Sequence, residues 1–111
     1  MVGGEEQSFK RVEKILLDIS AKSRDEPCAA WLGPNGSGHF VKTIHNGIEY
    51  ADMQMIAEIY GILRDGLGLS AGECAEIFNS WNKGRLESYL IEISGIVLGA
   101  TDPISGKPMV A

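Results

Sequence analysis

The stretch from Gly38 to Tyr60, GHFVKTIHNGIEYADMQMIAEIY, constrains the fold more than any other part of the chain. It contains no proline, and apolar residues recur at Val41, Ile44, Ile48, Ala51, Met55, Ile59 and Ile62. Spacings of three and four draw one continuous stripe along an α-helix. At about 100° per residue, Lys42, His45, Asn46, Glu49 and Tyr50 fall on the other side, within an arc of roughly 140°. An exposed helix would keep that second face charged along its whole length. Here Met53, Ile56, Ala57, Tyr60 and Leu63 continue the same azimuth. The helix is therefore expected to be buried on both sides, with five polar groups in a short window of an otherwise apolar face. Such a window is a candidate site.

The rest of the composition narrows the possibilities. At 111 residues the chain has material for one small domain with a modest core. A net charge of −5 argues against a general nucleic-acid binder, which needs a basic footprint. Any anionic ligand would have to be held by a local cationic cluster. Cys28 and Cys74 lie far apart with no CxxC pairing, and read as reduced, buried small residues of a cytoplasmic protein. No apolar run reaches the length of a membrane span, and no secretory signal follows Met1. The abrupt start, MVGG, and the turn-rich end, TDPISGKPMVA, suggest an architecture that is not closed.

Taken in order, Glu5 and Glu6 suit the first turn of a helix running to about Lys22, with Phe9, Val12, Ile15, Leu16 and Ile19 as its apolar stripe. Arg24-Asp25-Glu26-Pro27 breaks that helix. Cys28-Ala29-Ala30-Trp31-Leu32 is short and apolar between turn signals, and is expected to be a buried strand. Gly33-Pro34-Asn35-Gly36-Ser37-Gly38 then feeds the central helix. It is either a tight connection or a nest of backbone N–H groups open to an anion. The central helix should end near Leu63–Gly68, where glycines allow a left-handed stop. Ser70-Ala71-Gly72-Glu73 has the form of a capping box, opening a helix with Ile77, Phe78 and Trp81 on its buried face. After a turn at Trp81–Gly84, a helix from Arg85 to about Gly99 is apolar nearly all round, as a helix inside a larger assembly would be.

The chemistry lies on the central helix. Lys42, at the start of a mostly buried face, would be desolvated, which favours its neutral and basic form; the bland alternative is a snorkelling lysine or one paired with Glu49. Glu49, about two turns on, could act as the complementary acid if burial kept it protonated. His45 and Asn46 offer donors and acceptors to a polyhydroxy substrate, and Tyr50 offers a hydroxyl. Gly47 costs roughly 1 kcal/mol relative to alanine in mid-helix, so something is expected to approach the backbone there, either a neighbouring helix or a flat cofactor ring. No metal site is predicted, because His39 and His45 stand on different azimuths with no cysteine near.

The run Gly38-His39-Phe40-Val41-Lys42-Thr43-Ile44-His45-Asn46-Gly47-Ile48-Glu49-Tyr50-Ala51-Asp52-Met53-Gln54 resembles the signature of the decarboxylating 6-phosphogluconate dehydrogenases. Trp81-Asn82-Lys83-Gly84 and Leu86-Glu87-Ser88-Tyr89-Leu90-Ile91-Glu92-Ile93 resemble a second block of that family, in order and at a suitable distance. The resemblance covers almost the whole chain, from Gly3 to Val110. It implies oxidation of 6-phosphogluconate with NADP, loss of carbon dioxide and formation of ribulose 5-phosphate, usually in a cytoplasmic homodimer. It implies Lys42 as general base and Glu49 as acid, with His45 and Asn46 on the sugar acid, Tyr50 at its phosphate, and Asn46 also beside the nicotinamide.

On this reading residues 1–37 are the terminal helix and strand of a Rossmann-type NADP-binding domain, and residues 38–111 begin the family's all-α domain. The expected fold is mainly α: one helix and one short strand, a long central helix, and at least two further helices. Departures from the family's pattern accompany the match. The chain has no GxGxxG turn and no serine-glycine-glycine substrate loop, and Val2 replaces a usual proline before Gly3-Gly4. Ser37, Thr43 and Ala51 stand where alanine, methionine and glycine are common. The family's remaining phosphate-gripping residues and its C-terminal tail would lie beyond Ala111, so the isolated chain is expected to lack activity. Two other readings stand beside this one. The first is a fragment of a related β-hydroxyacid dehydrogenase, which His45, Glu49 and Tyr50 together argue against. The second is a helical interaction module without catalysis, which the apolar helix after Arg85 would suit.

Overall fold

A computed structural model describes residues 1–110. Its helices are α1 (Glu6–Ile19), α2 (Ser37–Gly61), α3 (Ala71–Trp81) and α4 (Tyr89–Gly99), with two strands of two residues each, β1 (Lys22–Ser23) and β2 (Glu26–Pro27). The mainly α fold expected from periodicity is what forms. The chain divides into two compact units, Met1–Tyr50 and a second from Ala51 onward, with the division falling inside α2.

In the first unit, Val2 pairs in parallel with Trp31. Val2 N–H donates to Ala30 O at 3.0 Å, and Leu32 N–H donates to Val2 O at 2.8 Å. A parallel pair needs a long crossover, and α1 supplies it. The expected strand over Cys28–Leu32 is thus reduced to a single bridge at Trp31. The extended backbone before it is taken up by a hairpin that the sequence reading treated only as a helix break. Arg24 and Asp25 turn with φ of 51° and 67°, the double positive φ of a type I′ turn, and Cys28 N–H closes the hairpin base on Ala21 O at 2.8 Å. That closure leaves Cys28 exposed, which corrects its expected burial; Cys74 is buried, and both thiols are free.

The glycine loop is a packing device. Gly38 is buried, and a Cβ built on it would stand 2.5 Å from Gly3 N and 2.8 Å from Val2 C. A Cβ on Gly3 would meet Gly38 N at 2.5 Å and Asn35 O at 2.9 Å. The two backbones touch where only hydrogen fits, so the start of α2 sits directly against the first residues of the chain. Trp31 adds a clamp, its indole N–H donating to Gly4 O at 2.9 Å.

The second unit holds the larger core, with Leu63, Cys74, Ala75, Phe78 and Leu98 buried and Ile56, Tyr60, Leu69, Ile77, Trp81, Ile91 and Val110 packed around them. The capping box forms as read: Ser70 Oγ accepts from Glu73 N–H, and Glu73 Oε2 accepts from Ser70 N–H at 2.8 Å. Those bonds hold the Glu73 carboxyl below its ordinary range, the Ser70 hydroxyl contributing most. Gly95 lets α4 close on α3, since a Cβ there would run into the Asn79 side chain. Helix α4 starts at Tyr89, later than expected, because Ser88 caps it by accepting from Ile91 N–H, while Ser88 N–H is held by Asn82 Oδ1 at 2.9 Å. Where the sequence reading ended the central helix near Leu63, α2 gives way at Gly61 to a π-helical turn, Ile62–Gly66.

Burial of α2 on both sides is not observed. Val41, Ile44 and Ile48 in the first unit, and Met55 and Ile59 in the second, are all exposed. An apolar stripe this long needs a covering layer along its length. The buried residues of the first unit are Phe9 and Gly38 alone, so its other elements supply no such layer.

Candidate functional site on α2

Helix α2 is unbroken through Lys42–Tyr50, so the five polar residues share the arc that helical spacing requires. Three of them meet. His45 Nδ1 lies 3.3 Å from Asn46 Oδ1 and 3.6 Å from Glu49 Oε2. The Glu49 partner is therefore His45, one helical turn away, and not Lys42 at seven residues. Both side chains of that pair are partly exposed, at 45% and 37%.

Lys42 and Tyr50 are exposed and, among the described residues, make no side-chain hydrogen bond or ion pair. Lys42 is thus not desolvated by this chain, which corrects the expectation that it lies on a buried face. Its amine is left uncommitted on the arc that also carries His45, Asn46 and Glu49.

Gly47 is exposed, and a Cβ there would meet nothing within 4 Å. Among the described residues no neighbouring helix accounts for it. Alanine at Gly47 should therefore stabilise the isolated chain, by about 1 kcal/mol from helix propensity alone. Urea unfolding followed by circular dichroism reads the gain, and a loss of stability would show that something already occupies that strip.

Other parts of the molecule contribute less. An apolar cavity of about 290 Å³ in the second unit, lined by Met53, Ile56, Tyr60, Phe78, Leu90 and Val97 among others, contains none of the five polar residues. Two of its lining residues, Tyr60 and Ser94, bear hydroxyls, and Ser94 Oγ already donates to Leu90 O at 2.7 Å. No group of three or more metal-binding side chains gathers among the described residues. The sequence reading missed Arg64, whose guanidinium stacks 5.3 Å over the Tyr60 ring and bonds Asp65 at 2.7 Å; the Tyr60–Arg64 spacing of four was the available signal.

By fold and site, the chain is a mainly helical protein with a small α/β start and one chemically equipped helix face. Residues 38–111 match the family model of the 6-phosphogluconate dehydrogenase C-terminal domain. The chain belongs to the 6-phosphogluconate dehydrogenase family. The NADP(+)-dependent, decarboxylating 6-phosphogluconate dehydrogenase of Bacillus subtilis is 53% identical over 110 residues, which is 99% of this chain and 24% of that protein. An NAD(+)-dependent, decarboxylating 6-phosphogluconate dehydrogenase of the same organism is 48% identical over the same shares. The solved Plasmodium falciparum 6-phosphogluconate dehydrogenase, studied without ligand, with its cofactor NADP+ and with its substrate 6-phosphogluconate, superposes with a TM-score of 0.84 at 42% identity. That superposition covers 97% of this chain and 23% of the other. The chain therefore spans about a quarter of the length of the relatives it matches.

Proposed function

We propose that this chain is the segment of an NADP-dependent, decarboxylating 6-phosphogluconate dehydrogenase that carries the acid–base residues. The observation behind this reading is the single arc of Lys42, His45, Asn46, Glu49 and Tyr50 on α2, in a chain of this family. Residues 1–37 are read as the end of the nucleotide-binding domain and residues 38–111 as the start of the helical domain. The whole enzyme is read as a cytoplasmic homodimer. Among the described residues no helix is long and apolar enough to cross a membrane.

Lys42 takes the substrate hydroxyl proton as the adjacent C–H bond breaks, acting as the neutral amine, a form favoured once substrate and the rest of the enzyme cover it and exclude water. It then returns that proton to the new ketone oxygen while the bond to the carboxylate carbon breaks and carbon dioxide leaves. Glu49, a carboxylate in the uncovered chain, takes up a proton in the covered site and delivers it to the carbon of the resulting enediol, giving ribulose 5-phosphate. His45 and Asn46 bind the sugar acid, and Tyr50 donates to its phosphate. NADP, when bound, accepts the hydride.

The residues present fit one end of that cofactor. Asn46 beside the bare surface at Gly47 suits the nicotinamide, a flat ring bearing an amide. The phosphate end is not furnished by the Gly33–Gly38 loop, whose last glycine is buried against Gly3.

The test is a graft. The purified chain alone should form no NADPH from 6-phosphogluconate, because hydride transfer needs the nicotinamide held at near-attack distance. Placed in the Bacillus subtilis NADP(+)-dependent enzyme in exchange for the matching 110 residues, it should sustain NADPH and carbon dioxide formation. A folded graft with no turnover, or turnover by the chain alone, counts against the reading.

A further inference from the structure

The contacts of His45 carry more than a binding role. Its Nδ1 faces two oxygens, Asn46 Oδ1 at 3.3 Å and Glu49 Oε2 at 3.6 Å. The first distance is a hydrogen bond; the second is an electrostatic contact beyond hydrogen-bond range. An ionised carboxylate only accepts. An unprotonated Nδ1 at that place would set its lone pair against the Glu49 charge. We propose that Glu49 selects the Nδ1–H tautomer of His45 and, through it, the orientation of the Asn46 amide. The proposal rests on the assignment of this arc as the substrate face.

Two consequences follow for what the face presents. With the proton on Nδ1, the neutral imidazole turns an unprotonated Nε2 outward, as an acceptor for a sugar hydroxyl. With Nδ1 donating, Asn46 turns Oδ1 to the ring and leaves its Nδ2 hydrogens free for a carboxylate or carboxamide oxygen. A tautomer is set by the bond its other nitrogen makes. Removing the Glu49 charge therefore returns the ring to Nε2–H, the commoner form of free histidine, and inverts the donor pattern. The other charged residues within one turn of this trio along α2 are Lys42 and Asp52. Among the described residues none from another element pairs with it. His45 and Glu49 are positioning residues in this respect, and the effect does not depend on bound ligand.

The experiment is long-range proton–nitrogen correlation of the 15N-histidine-labelled chain, well above the imidazole titration range. His39 serves as the internal reference, and His45→Gln identifies the signals. His45 should be mainly Nδ1–H and His39 mainly Nε2–H. Glu49→Leu should convert His45 to the His39 pattern, and Glu49→Gln, whose amide oxygen keeps a partial negative charge without the full one, should retain more Nδ1–H than the leucine variant. Circular dichroism confirms that α2 survives in each. A mainly Nε2–H His45 in the parent chain, or a Nδ1–H majority unchanged by Glu49→Leu, overturns the proposal. Neither substrate nor turnover enters this measurement, so its failure leaves the graft result standing, and a failed graft leaves the tautomer readable.

Discussion

Lys42→Met in the grafted enzyme should lower kcat by about two to four orders of magnitude, the range that a positioned general base contributes. Methionine keeps an unbranched stem of similar length and removes the amine. Lys42 has no partner to leave orphaned among the described residues, so the fold should be unchanged. Its place on the arc, one turn from His45 and Asn46, makes it available to a substrate hydroxyl without first breaking an ion pair. Single-turnover measurements separate the roles. A base acts in the transition state, so the fall should appear in the chemical step while the Kd for 6-phosphogluconate moves within a few-fold. Near-normal turnover would remove Lys42 from the base role. A large rise in Kd with intact chemistry would recast it as a binding cation.

Gly38→Ala should destabilise the first unit by about 1 kcal/mol net, even though alanine is the better helix former. The new Cβ would stand 2.5 Å from Gly3 N and 2.8 Å from Val2 C. Both are backbone atoms, with no rotamer to give way. Overpacking of this kind costs about 1–3 kcal/mol, and the gain in helix propensity of about 1 kcal/mol offsets part of it. Gly47→Ala on the same helix makes the matched control, because there the Cβ enters open space. Opposite signs from one substitution at two positions of α2 would separate steric contact from propensity. In the destabilised variant, amide exchange should quicken at Val2 and Leu32, whose N–H groups form the parallel bridge. Equal, small effects at both positions would mean that the chain start does not pack on α2 as described.

What could be read without coordinates was what local periodicity and capping chemistry dictate. The 3.6-residue repeat determined α2 and the arc that Lys42, His45, Asn46, Glu49 and Tyr50 share, because azimuth on a helix is a function of residue number alone. Ser70 and Glu73 determined where α3 begins, since both halves of their box lie within one turn. The His45–Glu49 contact was available in the same way, at a spacing of four, and was passed over for the longer Lys42–Glu49 pairing. The tertiary structure decided what depends on residues far apart in the chain. Val2 meets Trp31 across the whole of α1, and Gly3 meets Gly38 backbone to backbone; no local pattern encodes either. Burial was decided there too. A stripe of apolar residues states which face of α2 could be covered, but exposure depends on whether another element lies against it, and Val41, Ile44 and Ile48 are left exposed.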